Sequence, residues 1–103
     1  MGRAEHLLLS VASVWETAIK LRRFGRDRVE PLGEWFDAVI DPTRELSTTL
    51  LPVEPADCAA FLDLPAVHGD PFDRMIAAQA RRRGLPVVSA DPVFDAYGCE
   101  RIW

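Results

Sequence analysis

Apolar positions in this chain fall into two alternating patterns. Short apolar runs at residues 7–9, 48–53, 87–89 and 101–103 have the length and composition of buried strands. Between them lie longer stretches in which apolar residues recur every three or four positions, most clearly over residues 32–40. Alternation of short buried strands with helices predicts an α/β domain in three layers, with a largely parallel central sheet.

Start and stop residues delimit the predicted helices. Ser13 and Glu16 have the spacing of a capping box, and Gly25 follows the last apolar position of the same segment. Asp70-Pro71 and Gly84 frame a later segment in the same way. The predicted helices span residues 13–24, 31–40, 55–62, 71–83 and a short segment from 92 to Gly98.

Length and charge narrow the class of protein. A chain of 103 residues predicts a single domain over residues 1–103. The net charge of −4 argues against a protein that coats nucleic acid generally, although it does not describe a local patch. Cys58 and Cys99 are too few for a disulfide framework, and no signal peptide or membrane span is visible. We therefore expect a cytoplasmic protein that does not enter a membrane.

Three carboxylates fall where a parallel sheet binds its ligands, beyond the carboxyl ends of the strands. Glu16 lies in the first turn of the predicted first helix, Asp73 in the first turn of the helix that opens at Asp70-Pro71, and Asp91 follows the strand at residues 87–89. Carboxylate oxygens suit Mg²⁺ or Mn²⁺. These three residues are candidate metal ligands.

Helix capping is the favoured interpretation of each acid when it is taken alone. Glu16 can complete the box with Ser13, Asp70 can cap the helix at Pro71, and Asp91 can cap the next one. If the three carboxylates lay close together, a bound metal would be the better explanation. Like charges about 4 Å apart repel by about 4 kcal/mol at an effective dielectric constant of 20, and a cation between them removes that repulsion. The sequence leaves both interpretations open.

Three stretches together resemble the PIN domain, in particular VapC-type toxins of bacterial toxin–antitoxin pairs. They are LLLSVASVWETAIKLRRFG, LPVEPADCAAFLDLP and HGDPFDRMIAAQARRRGLPVVSADPVFDAYGCERIW. The resemblance implies a Mg²⁺- or Mn²⁺-dependent endoribonuclease that hydrolyses single-stranded RNA. On the matching positions it makes Glu16, Asp73 and Asp91 the catalytic metal ligands, with Ser89 and Asp70 in supporting positions.

The resemblance also implies partners and raises a question about the N-terminus. A VapB-type antitoxin would cover the site, and a homodimer is expected. The family begins with a central strand that ends in an aspartate, of the form LLLDTHxLLW, and no such segment precedes Leu7. We therefore expect an N-terminally truncated PIN domain in which Leu9 and Val88 lack the strand between them. The alternative function is a catalytically degenerate module that only binds a partner protein or forms oligomers.

Several other side chains are candidates for minor roles. Arg22, Arg23 and Arg74 are candidates for contacting the RNA backbone. The run at residues 81–83 is interpreted as a solvated helix end, and His68 as a loop histidine bonded to backbone rather than a ligand. The three tryptophans are expected in the core rather than as platforms for bases; they are Trp15, Trp35 and Trp103.

Overall fold

The structure is a computed structural model that describes residues 7–45, 48–67 and 69–102. Helices alternate with short parallel strands, which confirms the predicted α/β class. The predicted strand residue Trp103 and the loop residue His68 lie outside the described residues. The strands are β1 (Leu7–Ser10), β2 (Thr48–Leu51), β3 (Val87–Val88) and β4 (Arg101–Ile102), and the helices are α1 (Val11–Phe24), α2 (Leu32–Ile40), α3 (Pro55–Leu62), α4 (Pro71–Arg83) and α5 (Val93–Ala96).

The chain forms two compact units, Met1–Pro52 and Val53–Trp103. In the first unit, β1 and β2 pair in parallel, with Leu7 opposite Thr48 and Ser10 opposite Leu51. Helices α1 and α2 pack on each other, and their buried residues include Ala12, Leu21 and Val39.

Strand β1 continues directly into α1 without an intervening loop. Ser10 is the last residue of β1 and the N-cap of α1, and its Oγ accepts a hydrogen bond from the Ala12 N–H at 3.1 Å. The prediction that the helix opens at Ser13 is therefore wrong, and Ser13 and Glu16 do not form a capping box. Ser13 lies inside the helix, where its carbonyl accepts a hydrogen bond from Thr17 Oγ1 at 2.9 Å. The Ser10 hydroxyl satisfies one of the free N–H groups at the helix start, so Ser13 is not needed there.

The second unit is built around α4. Asp70 caps its N-terminus, Pro71 takes the first helical position, and Gly84 ends it in the left-handed conformation at φ 65°. Strands β3 and β4 pair in parallel, with Val87 opposite Arg101. The core of this unit joins α4 to its neighbours and contains Leu64, Ala77, Ala78, Ala80, Val87, Phe94, Tyr97 and Cys99.

Among the described residues, each strand has a single partner, β1 with β2 and β3 with β4. No described strand pairs with both β1 and β3. The truncation of the domain stays a hypothesis.

A buried ion cluster joins α3 to the end of α4. The Asp57 carboxylate is fully buried, and it accepts hydrogen bonds from Arg82 Nε at 2.8 Å, Arg83 Nη1 at 2.7 Å and Gln79 Nε2 at 3.3 Å. Arg82 and Arg83 also contact Glu54 Oε1, at 2.9 and 2.8 Å. The interpretation of residues 81–83 as a solvated helix end is therefore wrong for Arg82 and Arg83, which bind carboxylates of α3 and its N-cap.

The tryptophans of the first unit also depart from expectation. Trp15 is 64% exposed and Trp35 is 36% exposed, so neither is a core residue. Trp15 lies on the outer face of α1 with Val11 and Ile19, at spacings of four residues. Their hydrophobic character led us to expect burial, but the inward face of α1 is occupied instead by smaller side chains such as Ala12 and Thr17.

No helix among the described residues has both the length and the apolar character required to cross a membrane.

Candidate active site

Glu16 is the predicted ligand in the first unit. It is the sixth residue of α1 and therefore lies in the second helical turn, not in the first as predicted. Its side chain is about one-quarter exposed, and Lys20 Nζ lies 4.0 Å from Oε2 across one turn. A pair so open to solvent contributes little to stability. The Glu16 carboxylate thus lies on α1 with the Lys20 ammonium as a nearby cation.

Asp70 and Asp73 lie at the N-terminus of α4 and are joined to each other. Asp70 Oδ1 accepts a hydrogen bond from the Asp73 N–H at 2.7 Å, which confirms Asp70 as the cap. This contact places Asp73 at the third helical position, where it is half-buried close to the positive end of the helix dipole.

A close packing contact supports the segment just before this helix end. Tyr97 is fully buried, and its hydroxyl oxygen lies directly against Gly69. A Cβ added at Gly69 would overlap with that oxygen and would lie 3.2 Å from Tyr97 Cζ. The hydroxyl has no hydrogen-bond partner among the described residues. The absence of a side chain at Gly69 therefore sets how closely the segment before Asp70 approaches the core.

Ser89 and Asp91 lie in the loop between β3 and α5. The Asp91 N–H donates to Ser89 Oγ at 3.0 Å, and Asp91 Oδ1 accepts from the Val93 N–H at 2.9 Å. Asp91 thus accepts from the first residue of α5, although the N-cap of that helix is Pro92 and not Asp91 as predicted. The residue is nevertheless exposed, so its carboxylate remains accessible to a ligand.

Arg101, which the sequence did not indicate, contacts the backbone of the same loop. Its Nη1 donates to the carbonyls of Ser89 at 3.4 Å and Ala90 at 3.3 Å. Its Nε and Nη2 donate to the two carboxylate oxygens of Asp95, each at 3.1 Å. Hydrogen bonding between the two side chains raises the pKa of Arg101 and lowers that of Asp95. Local spacing could not have indicated this contact, because Asp95 lies in α5 and Arg101 in β4.

The predicted ligands divide between the two units, with Glu16 in the first and Asp73 and Asp91 in the second. Within each unit, the described part of the chain contains no group of three or more Asp, Glu, His or Cys side chains arranged to hold a metal. The donor chemistry does fit a hard divalent cation, since every predicted ligand is a carboxylate.

The three arginines predicted to contact RNA differ in their surroundings. Arg22 and Arg23 are exposed in the last turn of α1, and the Arg23 guanidinium lies 5.1 Å from the centre of the Phe24 ring. Arg74 instead donates to the carbonyls of Phe61, Leu64 and Pro65, at 2.9–3.2 Å. The structure therefore gives Arg74 a role in holding the segment after α3.

The end of α1 and the turn after it are rich in positive charge. Residues 20–28 hold Lys20, Arg22, Arg23, Arg26 and Arg28, five of the twelve basic residues, against one acid, Asp27. Arg26 pairs with Asp37 and the other four are exposed. A chain with a net charge of −4 thus carries a local basic surface at the end of α1, the helix that also bears the exposed Trp15.

Parallel strands and the helices that follow them define an α/β protein, with Glu16 in α1 of the first unit and acids at the starts of α4 and α5 in the second. The sequence model of the PIN domain matches residues 1–98, and the chain belongs to the PIN-domain family. Membership in this family generally implies nuclease activity, typically dependent on a divalent metal. A search of curated proteins found none that matches the chain.

Proposed function

We propose that this protein is a metal-dependent endoribonuclease that cleaves single-stranded RNA. The observation that carries the proposal is the match to the PIN domain over residues 1–98. We further propose that it is a VapC-type toxin, neutralised by a VapB-type antitoxin and active as a homodimer.

In this proposal, Glu16, Asp73 and Asp91 hold Mg²⁺ or Mn²⁺. When bound, such an ion lowers the pKa of a water molecule and stabilises negative charge on the phosphate. The hydrogen bond from the Asp91 N–H to Ser89 Oγ supports a role for Ser89 in orienting Asp91. The bond from the Asp73 N–H to Asp70 supports the same relation at the start of α4.

The basic surface at the end of α1 is proposed to bind the RNA backbone. Arg22 and Arg23 are exposed and carry no carboxylate partner among the described residues, so both can contact phosphates. Trp15 precedes Glu16 and is 64% exposed, which suits stacking with an unpaired base. Arg74 is the weakest of the three arginine candidates because its guanidinium already contacts three carbonyls.

The proposal is tested by incubating the purified chain with a pool of single-stranded RNA in the presence and absence of Mn²⁺. We expect Mn²⁺-dependent cleavage that Asp91→Asn abolishes. Asp63→Asn, which changes an exposed acid beyond the end of α3, is the matched control and should cleave like the wild type. Cleavage that persists in Asp91→Asn would show that the activity comes from elsewhere.

Metal binding is measured separately from cleavage. A functional site should stabilise the fold by about 2.7 kcal/mol when Mn²⁺ is at a hundredfold excess over its Kd. A folded wild type that neither binds Mn²⁺ nor cleaves RNA would contradict the nuclease proposal. That result would favour the module that only binds a partner protein or forms oligomers.

A further inference from the structure

The loop that carries Asp91 is short and has few internal contacts. It leaves β3 at Val88 and enters α5 at Val93. Asp91 bonds with Ser89 Oγ and with the Val93 N–H, and the carbonyls of Asp91 and Pro92 accept from the N–H groups of Phe94 and Asp95, at 3.5 and 3.0 Å. These bonds lie within the loop and the first turn of α5, and none of them joins the loop to the neighbouring strand β4.

Arg101 supplies that external support from the neighbouring strand. It lies in β4 opposite Val87, one residue before the end of β3, and its side chain extends along the loop. One guanidinium nitrogen donates to the carbonyls of Ser89 and Ala90, the two residues immediately before Asp91. The other two bind Asp95 on the far side of Asp91, in α5. A single side chain therefore holds both flanks of the loop.

Only an arginine can make this set of contacts. Its planar guanidinium has five donors in a fixed arrangement, so it can bind a carboxylate with two bonds and still donate to carbonyls. The ammonium of lysine is a compact charge without that geometry. The side chain of Arg101 is 26% exposed and that of Asp95 is 56% exposed. The specificity of the arrangement therefore comes from the geometry of the guanidinium rather than from burial.

We propose that Arg101 is a positioning residue that holds Asp91 for metal binding. This inference rests on the proposed function, because it takes Asp91 as a metal ligand. Groups that orient the ligands of a metal commonly change its affinity by 10–100-fold when they are mutated. A ligand on an unsupported loop must be ordered when the metal binds, and that cost lowers affinity.

The experiment compares Arg101→Lys and Arg101→Gln with the wild type. We measure the Kd for Mn²⁺ by titration calorimetry and the Mn²⁺ concentration that gives half-maximal RNA cleavage. Both values should rise at least tenfold in both variants, and the cleavage rate at saturating Mn²⁺ should return close to that of the wild type. Arg81→Lys is the matched control, since Arg81 is an exposed arginine of the same unit that contacts neither the loop nor Asp95.

Asp95→Asn provides a second, independent variant. It weakens one side of the arrangement and leaves the carbonyl contacts of Arg101 in place, so we expect a smaller rise in the Kd for Mn²⁺. Amide hydrogen exchange at Asp91 and Val93 without metal should be faster in Arg101→Gln than in the wild type. This measurement reports on the loop even where a variant loses some stability.

Three results would overturn the inference. Wild-type Mn²⁺ affinity in both Arg101 variants would show that Asp91 does not need the arginine, while leaving the proposed nuclease function intact. Wild-type affinity in Arg101→Lys alone would show that charge rather than the guanidinium geometry matters. A folded wild type that binds no Mn²⁺ would overturn both the inference and the proposed function.

Discussion

The carboxylate of Asp57 and the guanidinium of Arg83 form an ion pair at the junction of α3 and α4, with 2.7 Å between Oδ1 and Nη1. The aspartate side chain is completely buried and that of the arginine is 17% exposed. Buried carboxylates are stable only when their oxygens are paired and hydrogen-bonded, and here Arg82, Gln79 and the Glu54 N–H complete the set.

We predict that Asp57→Asn lowers the free energy of unfolding by about 3 kcal/mol, because the variant removes the buried carboxylate that Arg82 and Arg83 share and leaves them only the exposed Glu54 as a charged acceptor. Equilibrium unfolding in urea measures the change. Asp63→Asn, on the exposed side beyond α3, should stay within about 0.5 kcal/mol of the wild type. Equal effects of the two substitutions would show that the buried pair contributes nothing.

The same carboxylate predicts how stability depends on pH. Burial alone would raise the pKa of Asp57, but hydrogen bonds from Arg83, the Glu54 N–H, Arg82 and Gln79 outweigh it and hold the pKa well below its usual range. An aspartate in the unfolded chain titrates near pH 3.9, so below about pH 5 the unfolded state binds more protons than the folded state. The stabilisation is therefore complete above pH 5 and is lost as the pH falls towards the folded pKa.

Urea unfolding of the wild type and Asp57→Asn between pH 2.5 and pH 7 measures this dependence. The difference in unfolding free energy between the two proteins should be constant from pH 5 to pH 7 and should narrow below pH 4. A difference that does not change with pH would contradict the lowered pKa of Asp57.

Gly69 and Tyr97 give a prediction about packing. Gly69→Ala should cost about 1–3 kcal/mol, because the new methyl group overlaps with the Tyr97 hydroxyl. Tyr97→Phe removes a buried hydroxyl that has no partner among the described residues, and it should be close to neutral or stabilising. The double variant should recover at least about 1 kcal/mol of the loss, measured as the coupling energy of a double-mutant cycle. Strict additivity would show that the overlap is relieved by other movements.

Arg74→Gln should destabilise the fold by about 2 kcal/mol, because carbonyls of Phe61, Leu64 and Pro65 lose their donor. The guanidinium also lies 5.0 Å from the centre of the Phe61 ring, a contact that is lost as well. Thermal unfolding measures the effect. A variant as stable as the wild type would leave RNA binding as the better explanation for this arginine.

Arg22→Gln with Arg23→Gln should have the opposite profile, with unchanged thermal stability and weaker RNA binding. Each phosphate contact that is lost should reduce the slope of log K against log salt concentration by about 0.7 for a single strand. The measurement is RNA binding at several salt concentrations in the presence of EDTA, which prevents cleavage by a metal-dependent enzyme. Arg44→Gln, an exposed arginine outside the basic surface, is the control, and an unchanged slope in the double variant would contradict the proposal.

The sequence predicted elements well where one residue decides the backbone. Asp70-Pro71 and Gly84 correctly predicted both ends of α4. An aspartate whose side chain accepts from a helical N–H is typical of a helix start, and a glycine with positive φ is typical of a helix end. The start of α1 was predicted wrongly because Ser10 and Ser13 both fit a cap. Ser10 pairs with Leu51 and is the last residue of β1, so the helix begins directly after it. This long-range pairing is not visible in the local sequence pattern.

Long-range contacts also account for what was missed in and around the candidate site. Arg82 and Arg83 lie in a run typical of a solvated helix end, and only the packing of α3 brings Asp57 and Glu54 to them. Arg101 reaches the loop of Asp91 because β4 pairs with β3, a relation set by tertiary structure. The acids stay predictions, made from their places after the predicted strands and from the family resemblance, whereas the groups that contact them depend on which elements become neighbours.

Because β1 ends at Ser10 and α1 begins at Val11, the register of β1 affects the position and rotation of α1. Since no loop separates β1 from α1, moving β1 by one residue along β2 would displace the helix start by about 3.3 Å and exchange the two faces of the strand. The register of β1 on β2 is therefore one of the relations that set the direction in which Glu16 extends, together with the packing of α1 on α2. Residues inserted between α2 and β2 should leave the orientation of Glu16 unchanged. A single residue inserted between Leu9 and Val11 should rotate the Glu16 side chain by about 100° around the axis of α1.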